Sequence, residues 1–269
     1  MKFKAVMCDF DGTITNPGVN YPSEKMARVL IETAKRVPVA ICSGREMASF
    51  KLHGIEVFEE YLNEGEGQEF WPNFYFVAEN GGIGYRYVEG EYVPFYEDEW
   101  PDDVLGREYL MDLLAARIVG FGGILCKHRV PIVLHANHGE SIEETREHSA
   151  AMHQIAVKAL EELLPDYEKH FHVGDSGIGV LIVPAGADKD NGVKRFGEFL
   201  GLGGDFREIL VIGDSAERGG NDYYFLNGRY GTAYTVGSYD QGLEWPRPVQ
   251  RDGERLMNEE GTMFLLEKA

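Results

Sequence analysis

Two aspartates, Asp9 and Asp11, flank Phe10 in the run Asp9-Phe10-Asp11-Gly12-Thr13. If a strand ends at Asp9 and a turn begins at Asp11, both carboxylates can reach one pocket. There one can attack phosphorus as a nucleophile while the other protonates the leaving oxygen and later deprotonates water. The same Asp-x-Asp-Gly pattern also closes an ordinary Asx turn, so these two residues alone leave both readings open. Asp214 and Asp222 add two carboxylates after another apolar run; taken singly, Asp214 could cap a helix and Asp222 could lie on the surface. Packed together, three or four carboxylates repel one another unless a cation offsets them, and an oxygen-only donor set suits Mg²⁺. Ser43, in Ser43-Gly44-Arg45, offers a hydroxyl at a turn rich in backbone N–H groups. Lys189 offers an ammonium for the equatorial oxygens of a phosphoryl group, or else one more solvated charge.

Apolar periodicity supplies the elements that must carry these residues. Residues 3–8 read as a short buried strand running into Asp9. Ser23 is placed to cap a helix with apolar positions Met26, Val29, Leu30, Ala34 and Val37, and a strand over 39–42 then ends at Ser43. That is a βαβ unit with parallel strands. A third run, 75–78, ends in the turn Glu79-Asn80-Gly81-Gly82. From about 84 to 186 the texture changes. Tyr85-Arg86-Tyr87-Val88 and Tyr92-Val93-Pro94-Phe95 alternate around Glu89-Gly90-Glu91 as a hairpin would, an apolar-rich helical segment follows, and 130–136 reads as a strand. Ser141 and Glu144 form a capping box for a long helix with Met152, Ile155, Ala156, Ala159, Leu160 and Leu163 on its apolar face, before strands over 170–173 and 179–183.

Parallel-sheet grammar returns with a helix marked by Val193, Phe196 and Leu200 and ended by Gly201. The strand over 208–212 then enters Gly213-Asp214-Ser215. After Leu226, Thr235-Val236-Gly237 and Trp245-Pro246-Arg247-Pro248 suggest a last strand and a tail helix. The expected fold class is α/β: a doubly wound, Rossmann-like parallel-sheet core formed by 1–83 and 187–269, with an α+β domain inserted over 84–186. The turns after Cys8, Cys42 and Gly213 fall at carboxyl ends of parallel strands, the edge where open α/β sheets bind ligands.

Composition narrows the function. The 269 residues, 43% apolar and 12% aromatic, suffice for a sizeable core. A formal charge of −19 repels nucleic acid and anionic lipid, so neither is an expected partner. The stretch 111–126 carries Arg117 and several glycines and is shorter than the about 20 apolar residues a bilayer crossing takes. The N-terminal residues reach Asp9 before the apolar core of a secretion signal can form, and Cys8, Cys42 and Cys126 fit no disulfide or metal spacing. A cytoplasmic setting is expected. In the insert, Lys127, His128 and Arg129 make the one concentrated cationic run, either a binding element or a solvated loop. His135, His138, His170 and His172 raise zinc, but without the cysteine or carboxylate frame zinc needs.

Cys8-Asp9-Phe10-Asp11-Gly12-Thr13-Ile14-Thr15, Ile41-Cys42-Ser43-Gly44-Arg45, Lys189 before an amphipathic helix, and Gly213-Asp214 with Asn221-Asp222 resemble, in order, the four motifs of the haloacid-dehalogenase-like hydrolases. The resemblance spans residues 1 to about 226, and the long insert between the second and third motifs is similar to the α+β cap of class IIB, found on sugar phosphatases and phosphomannomutases. It implies that Asp9 is the nucleophile that becomes an aspartyl-phosphate and Asp11 the general acid and base. It also implies that Ser43 binds phosphate and that Lys189 holds nucleophile and phosphate together. Asp9, the main-chain carbonyl of Asp11, and Asp214 would bind Mg²⁺, supported by Asn221 and Asp222 directly or through water.

Gly213 to Asp222, with its Gly219-Gly220-Asn221-Asp222 spacing, also resembles eukaryotic-type phosphomannomutases, as do Pro184-Ala185-Gly186-Ala187-Asp188-Lys189 and Glu79-Asn80-Gly81. On this likeness Asn80 and Arg129 join Gly44 and Arg45 as substrate-binding candidates. The chain departs from those mutases at Gly179 and Leu181, where they carry Ser and Asp, at Glu140, where a second cap arginine would fall, and in having Ser-Gly-Arg as its second motif. The resemblance therefore implies a Mg²⁺-dependent phosphatase for a sugar phosphate or similar small phosphorylated metabolite. A phosphohexomutase using the same two aspartates is the alternative, and a non-catalytic sugar-phosphate or magnesium-binding protein is a third reading. Monomer and dimer stay open.

Overall fold

Four-residue apolar runs that leave no polar side chain to face water form strands only where both faces are covered, and the chain has three such runs close together. The computed structural model describes residues 3–121, 123–136, 141–239 and 246–269. The first strand is β1 (Ala5–Cys8), followed by α1 (Glu24–Ala34) and β2 (Val39–Cys42). Ser23 caps α1 as expected, its Oγ accepting from the Met26 N–H at 3.2 Å, an arrangement worth about 1 kcal/mol. Two short helices, α2 (Met47–Phe50) and α3 (Glu56–Tyr61), are joined by a widened turn and followed by α4 (Gly67–Phe70); sequence patterning gave no sign of them. They carry a cluster of phenylalanine rings, and Phe50 stacks on Phe76 at 3.9 Å between centroids. Then come β3 (Phe74–Ala78), β4 (Ile83–Val88) and β5 (Glu91–Glu97).

The inserted segment holds α5 (Arg107–Ile118), β6 (Ile124–Lys127), β7 (Ile132–His135), α6 (Ile142–Leu163), β8 (Phe171–Asp175) and β9 (Gly179–Pro184). The chain returns to the first unit through α7 (Lys189–Phe199), β10 (Ile209–Ser215), α8 (Tyr223–Leu226), β11 (Thr232–Ser238), β12 (Arg247–Pro248), the small β13–β14 hairpin (Gln250–Arg251, Glu254–Arg255) and α9 (Asn258–Leu266). Trp245, expected near the last strand, lies outside the described residues. Among the described residues no helix is long and apolar enough to cross a membrane.

Two compact units result. The first comprises Met1–Glu97, Lys189–Arg218 and Asp222–Ala269. Its eight-stranded sheet runs β12-β11-β10-β1-β2-β3-β4-β5, parallel from β12 to β3 and antiparallel beyond. From β1 the chain winds one way to β2 and β3, and on the return it winds the other way through β10 and β11. The reversal between β1 and β10 places Asp9 and Asp214 side by side at the carboxyl edge. The α/β class and doubly wound core are as the sequence implies.

The boundary of the insert is not. The hairpin expected to open it pairs instead with β3, with Phe76 opposite Tyr85 and Ala78 opposite Ile83. Alternation shows that a strand has two different faces but does not name its partner; here the Glu79–Gly82 turn folds the hairpin straight back onto β3. The insert begins at Asp98, runs to Asp188, and takes Gly219–Asn221 with it.

This second unit is an antiparallel sheet ordered β6-β7-β9-β8. One face, with Ile132, Leu134, Phe171, Val180 and Ile182, packs with Leu110, Leu114 and Ile118 of α5 and Met152, Ala156 and Leu160 of α6. Ser141 caps α6 by accepting from the Glu144 N–H at 3.1 Å, as the capping box implies. The other face gathers Val133, Leu181, Val183 and Cys126. The apolar stretch after Leu110 is α-helical to Ile118, tightens into a 3-10 turn over Val119–Phe121, and becomes a strand at Ile124–Lys127.

Candidate active site

The carboxyl edge of β1 and β10 is built from tight turns. The Asp9 N–H still bonds to the carbonyl of Ile212, at 2.8 Å, so Asp9 is the last ladder position. The chain then curls: the Phe10 carbonyl accepts from the Thr13 and Ile14 N–H groups, and Gly12 takes φ +73°, a backbone region that favours glycine. A Cβ at Gly12 would run into Oδ2 of Asp214, so glycine here makes room for that carboxylate. From β10, the Asp214 N–H donates to Oδ2 of Asp222 at 2.9 Å and the Ser215 N–H to the same oxygen at 3.4 Å. Asp222 thereby closes the loop it ends.

Lys189, at the start of α7, reaches between these two turns. Its Nζ donates to Oδ1 of Asp9 and to Oδ1 of Asp222, both at 2.6 Å, and Asp9, Asp222 and Lys189 are all buried. Among the described residues, Asp9, Asp214 and Asp222 form the one group of three acidic, histidine or cysteine side chains with ligand atoms close enough to share an ion, all within 4.8 Å of one another. At that separation each pair of ionised carboxylates repels by about 3 kcal/mol at an effective dielectric near 20, and one ammonium offsets only one of three charges. Burial, and then the charge of Asp222, push Asp9 up to about 8; the same causes, with Asp9 added, push Asp214 up to about 9. Burial works against the charge of Lys189, but Asp222 and Asp9 outweigh it and hold the ammonium protonated well above its ordinary range. An all-oxygen, over-charged pocket with glycine beneath it fits a hard divalent cation.

The other expected residues are placed as follows. Asp11 lies outside this carboxylate group. Both of its oxygens are engaged by the Arg45 fork, Nε to Oδ2 at 3.0 Å and Nη2 to Oδ1 at 2.6 Å, while the Arg45 guanidinium sits over the Phe10 ring at 4.7 Å. Arg45 was expected as a substrate residue; its pairing with Asp11 could have been suspected only from their opposite charges. Ser43 is buried, and its Oγ accepts from the Arg45 N–H at 3.2 Å, so it shapes the Ser43-Gly44-Arg45 turn.

Asn80 holds that turn from behind. Its N–H donates to the Ser43 carbonyl at 2.9 Å, and the Glu79 N–H donates to the Arg45 carbonyl at 3.0 Å. Glu79 and Asn80 both have positive φ, 53° and 60°, and the Asn80 Oδ1 is buried without a donor among the described residues. Two successive non-glycine residues held this way store strain, the pattern expected where geometry serves a site.

Asn221 groups with the inserted unit, as does Arg129. Arg129 lies in a turn clamped by the buried Arg107, whose guanidinium donates to the carbonyls of His128, Arg129 and Pro131 at 3.0 Å or less. Lys127 of the same run pairs with Glu108. His138 and Glu140 lie outside the described residues. His172 faces Asp188, with Nδ1 to Oδ2 at 2.7 Å, not another histidine; no described histidine joins an ion-binding group.

No protein-family model matches the chain, and no curated protein matches it in sequence. Solved structures do. The N-terminally truncated IMP-nucleotidase of Plasmodium falciparum, 15% identical, superposes with a TM-score of 0.69 over 99% of this chain and 70% of its own. The C-terminal domain of C. albicans trehalose-6-phosphate phosphatase, 16% identical, gives 0.62 over 98% and 92%. Trehalose-6-phosphate phosphatase from Aspergillus fumigatus, 19% identical, gives 0.53 over 100% and 94%. At such identities the likeness concerns the fold, which is the one the four motifs imply.

Proposed function

We propose that this chain is a Mg²⁺-dependent phosphatase that hydrolyses a small phosphorylated metabolite, a sugar phosphate or similar polyol phosphate, through an aspartyl-phosphate. The observation that carries this reading is Lys189 bridging buried Asp9 and Asp222 at 2.6 Å each, with half-buried Asp214 completing an acidic trio. Similar folds in an IMP-nucleotidase and two trehalose-6-phosphate phosphatases support hydrolysis of a phosphomonoester.

Lys189 holds Oδ1 of Asp9, which leaves Oδ2 to attack. The bond from Oδ2 to phosphorus forms as the bond from phosphorus to the leaving oxygen breaks, and a proton on Asp11 passes to that oxygen. Asp11 then takes a proton from water, the water oxygen bonds to phosphorus, and the bond to Asp9 breaks, releasing inorganic phosphate. Asp9, Asp214 and Asp222 would hold Mg²⁺, with the Asp11 carbonyl and Asn221 as further oxygen donors. The bound ion supplies charge neutralisation for the phosphoryl oxygens.

The Arg45 fork engages both oxygens of Asp11, so Asp11 turns to the leaving oxygen only when the fork releases it, and the incoming phosphate is the anion to which Arg45 transfers. Because the chain carries −19 overall, a dianionic substrate gains no long-range steering, and Mg²⁺, Lys189 and Arg45 supply the attraction locally. Ser43, Gly44, Asn80 and Arg129 are proposed to contribute to substrate binding. Free thiols at Cys8, Cys42 and Cys126 suit a cytoplasmic setting.

The test is a ³¹P NMR time course with Mg²⁺, hexose 1-phosphate and a trace of hexose 1,6-bisphosphate. Growth of inorganic phosphate is expected. Growth of hexose 6-phosphate in its place identifies a mutase, and an inert spectrum across a panel of phosphomonoesters rejects the phosphatase reading.

A further inference from the structure

β8 holds the two chain segments that lead into the Lys189–Asp222 pair. At one end of the strand, Nδ1 of His172 lies 2.7 Å from Oδ2 of Asp188, the residue immediately before Lys189. At the other end, the Asp175 N–H donates to the carbonyl of Gly219 at 3.1 Å, and Asp175 forms a parallel bridge with Gly220, two residues before Asp222. β8 is an edge strand of its sheet, so Gly219–Asn221 takes the place of a missing neighbour. The backbone of Asp175 is itself fixed: its Oδ1 accepts from the buried Ser149 Oγ at 2.5 Å and from the Gly177 N–H at 2.8 Å. Gly174 admits Asn221 at van der Waals distance, 3.7 Å from where a Cβ would stand.

We infer that His172 and Asp175 are positioning residues for the buried Lys189–Asp222 pair, acting through Asp188 and through Gly219–Gly220. Asp188 and Asn221 are covalently next to Lys189 and Asp222, and an error in the backbone direction at either residue is passed to a hydrogen bond that must close at 2.6 Å. Neither His172 nor Asp175 touches the reacting atoms. One tie comes from the His172 side chain and the other from the Asp175 main chain, so they are separable by substitution at His172 and at Gly219. The inference rests on the proposed role of Lys189 and Asp222 for its meaning in catalysis, but its test does not require turnover.

The experiment compares the full chain with H172N, H172A and G219A, where Gly219 has φ +89° and a Cβ strains the loop. Two properties are read: acylation of the Lys189 amine by a small amine-reactive reagent, followed by peptide mass spectrometry, and Mg²⁺ affinity by calorimetry. In H172A and G219A, Lys189 should label several-fold faster and Mg²⁺ should bind about 10-fold more weakly, the usual scale for loss of a supporting partner, while thermal midpoints stay near that of the parent. In H172N, which keeps a polar nitrogen within reach of Asp188, both should return toward parental values. Unchanged Lys189 protection in H172A and G219A overturns the inference, as does H172N as impaired as H172A, which assigns the effect to imidazole bulk. If H172A fails to fold, G219A decides on the loop alone. If the parent binds no Mg²⁺, the metal reading falls while the labelling still decides the positioning roles.

Discussion

Nζ of Lys189 meets Oδ1 of Asp9 at 2.6 Å across 180 positions of sequence, with both side chains all but closed to solvent. A buried charge that loses its partner is costly. Lys189→Met should therefore lower stability by about 3–5 kcal/mol in chelator, measured by urea unfolding, with part of the loss recovered when Mg²⁺ is added. Asp9→Asn should behave oppositely. It relieves repulsion and leaves Lys189 paired with Asp222, so the thermal midpoint should hold or rise while turnover falls by about 10⁴-fold or more. Substantial phosphate release by that variant rules out Asp9 as nucleophile.

The raised carboxyls give the metal-free protein a pH dependence with a definite sign. With Asp9 held near 8 and Asp214 near 9 in the folded chain, against ordinary values near 4 when unfolded, the folded state binds more protons over this interval. Stability in chelator should fall as pH rises from about 4 through 8. Mg²⁺ must displace those protons, so calorimetry at pH 7 in two buffers of different ionisation enthalpy should show proton release, and affinity should rise with pH. A pH-independent affinity would remove the metal from this site.

Gly12→Ala tests the floor of the pocket. Positive φ at a residue with a Cβ costs roughly 1 kcal/mol, and the added carbon collides with Oδ2 of Asp214. Mg²⁺ affinity should drop more than stability does. Equal affinity in the variant would mean that Asp214 is not a ligand.

At the surface, Glu66 accepts from Lys35, from the Asn63 N–H and from Arg28, and these bonds hold its carboxyl down at about 2. Its stabilisation is fully present above the ordinary glutamate value near 4.5 and is lost as pH falls toward 2. Glu66→Gln and the parent should differ in urea midpoint at neutral pH and converge in acid. A constant difference down to pH 2 refutes the assignment.

Lys189 and Asp222 stand out in the sequence only through the resemblance of the four motifs, since taken singly either reads equally well as a solvated charge. Ser23 and Ser141 were legible from local pattern alone, since a cap bonds within three residues of itself. What failed was non-local. The Tyr85 and Tyr92 strands alternate as they should, but nothing in them shows that β3 is their neighbour. The helices over 47–61 hid because they are short, and their inward rings, Phe50 and Phe58, gain their order by packing on Phe76 and Phe74 of β3, with Gly54 lying where a Cβ would strike the Phe50 ring. The Asp11–Arg45 fork and the His172–Asp188 pair join residues that no period connects.

The insertion separates β3 to β5 from α7 and β10, and so divides the pocket between chain regions that the cell makes at different times. β1 can pair with β2 early, yet its other neighbour, β10, arrives about two hundred residues later. High contact order of this kind slows folding, while the inserted unit has its own local core and can form ahead of it. Trp100 stacks on Phe171 inside that unit and Trp71 packs on Tyr87 in the other, so each half carries its own fluorescent reporter. On refolding, Trp100 should settle before the chain acquires the ability to bind Mg²⁺, which makes the site one of the last things this protein completes.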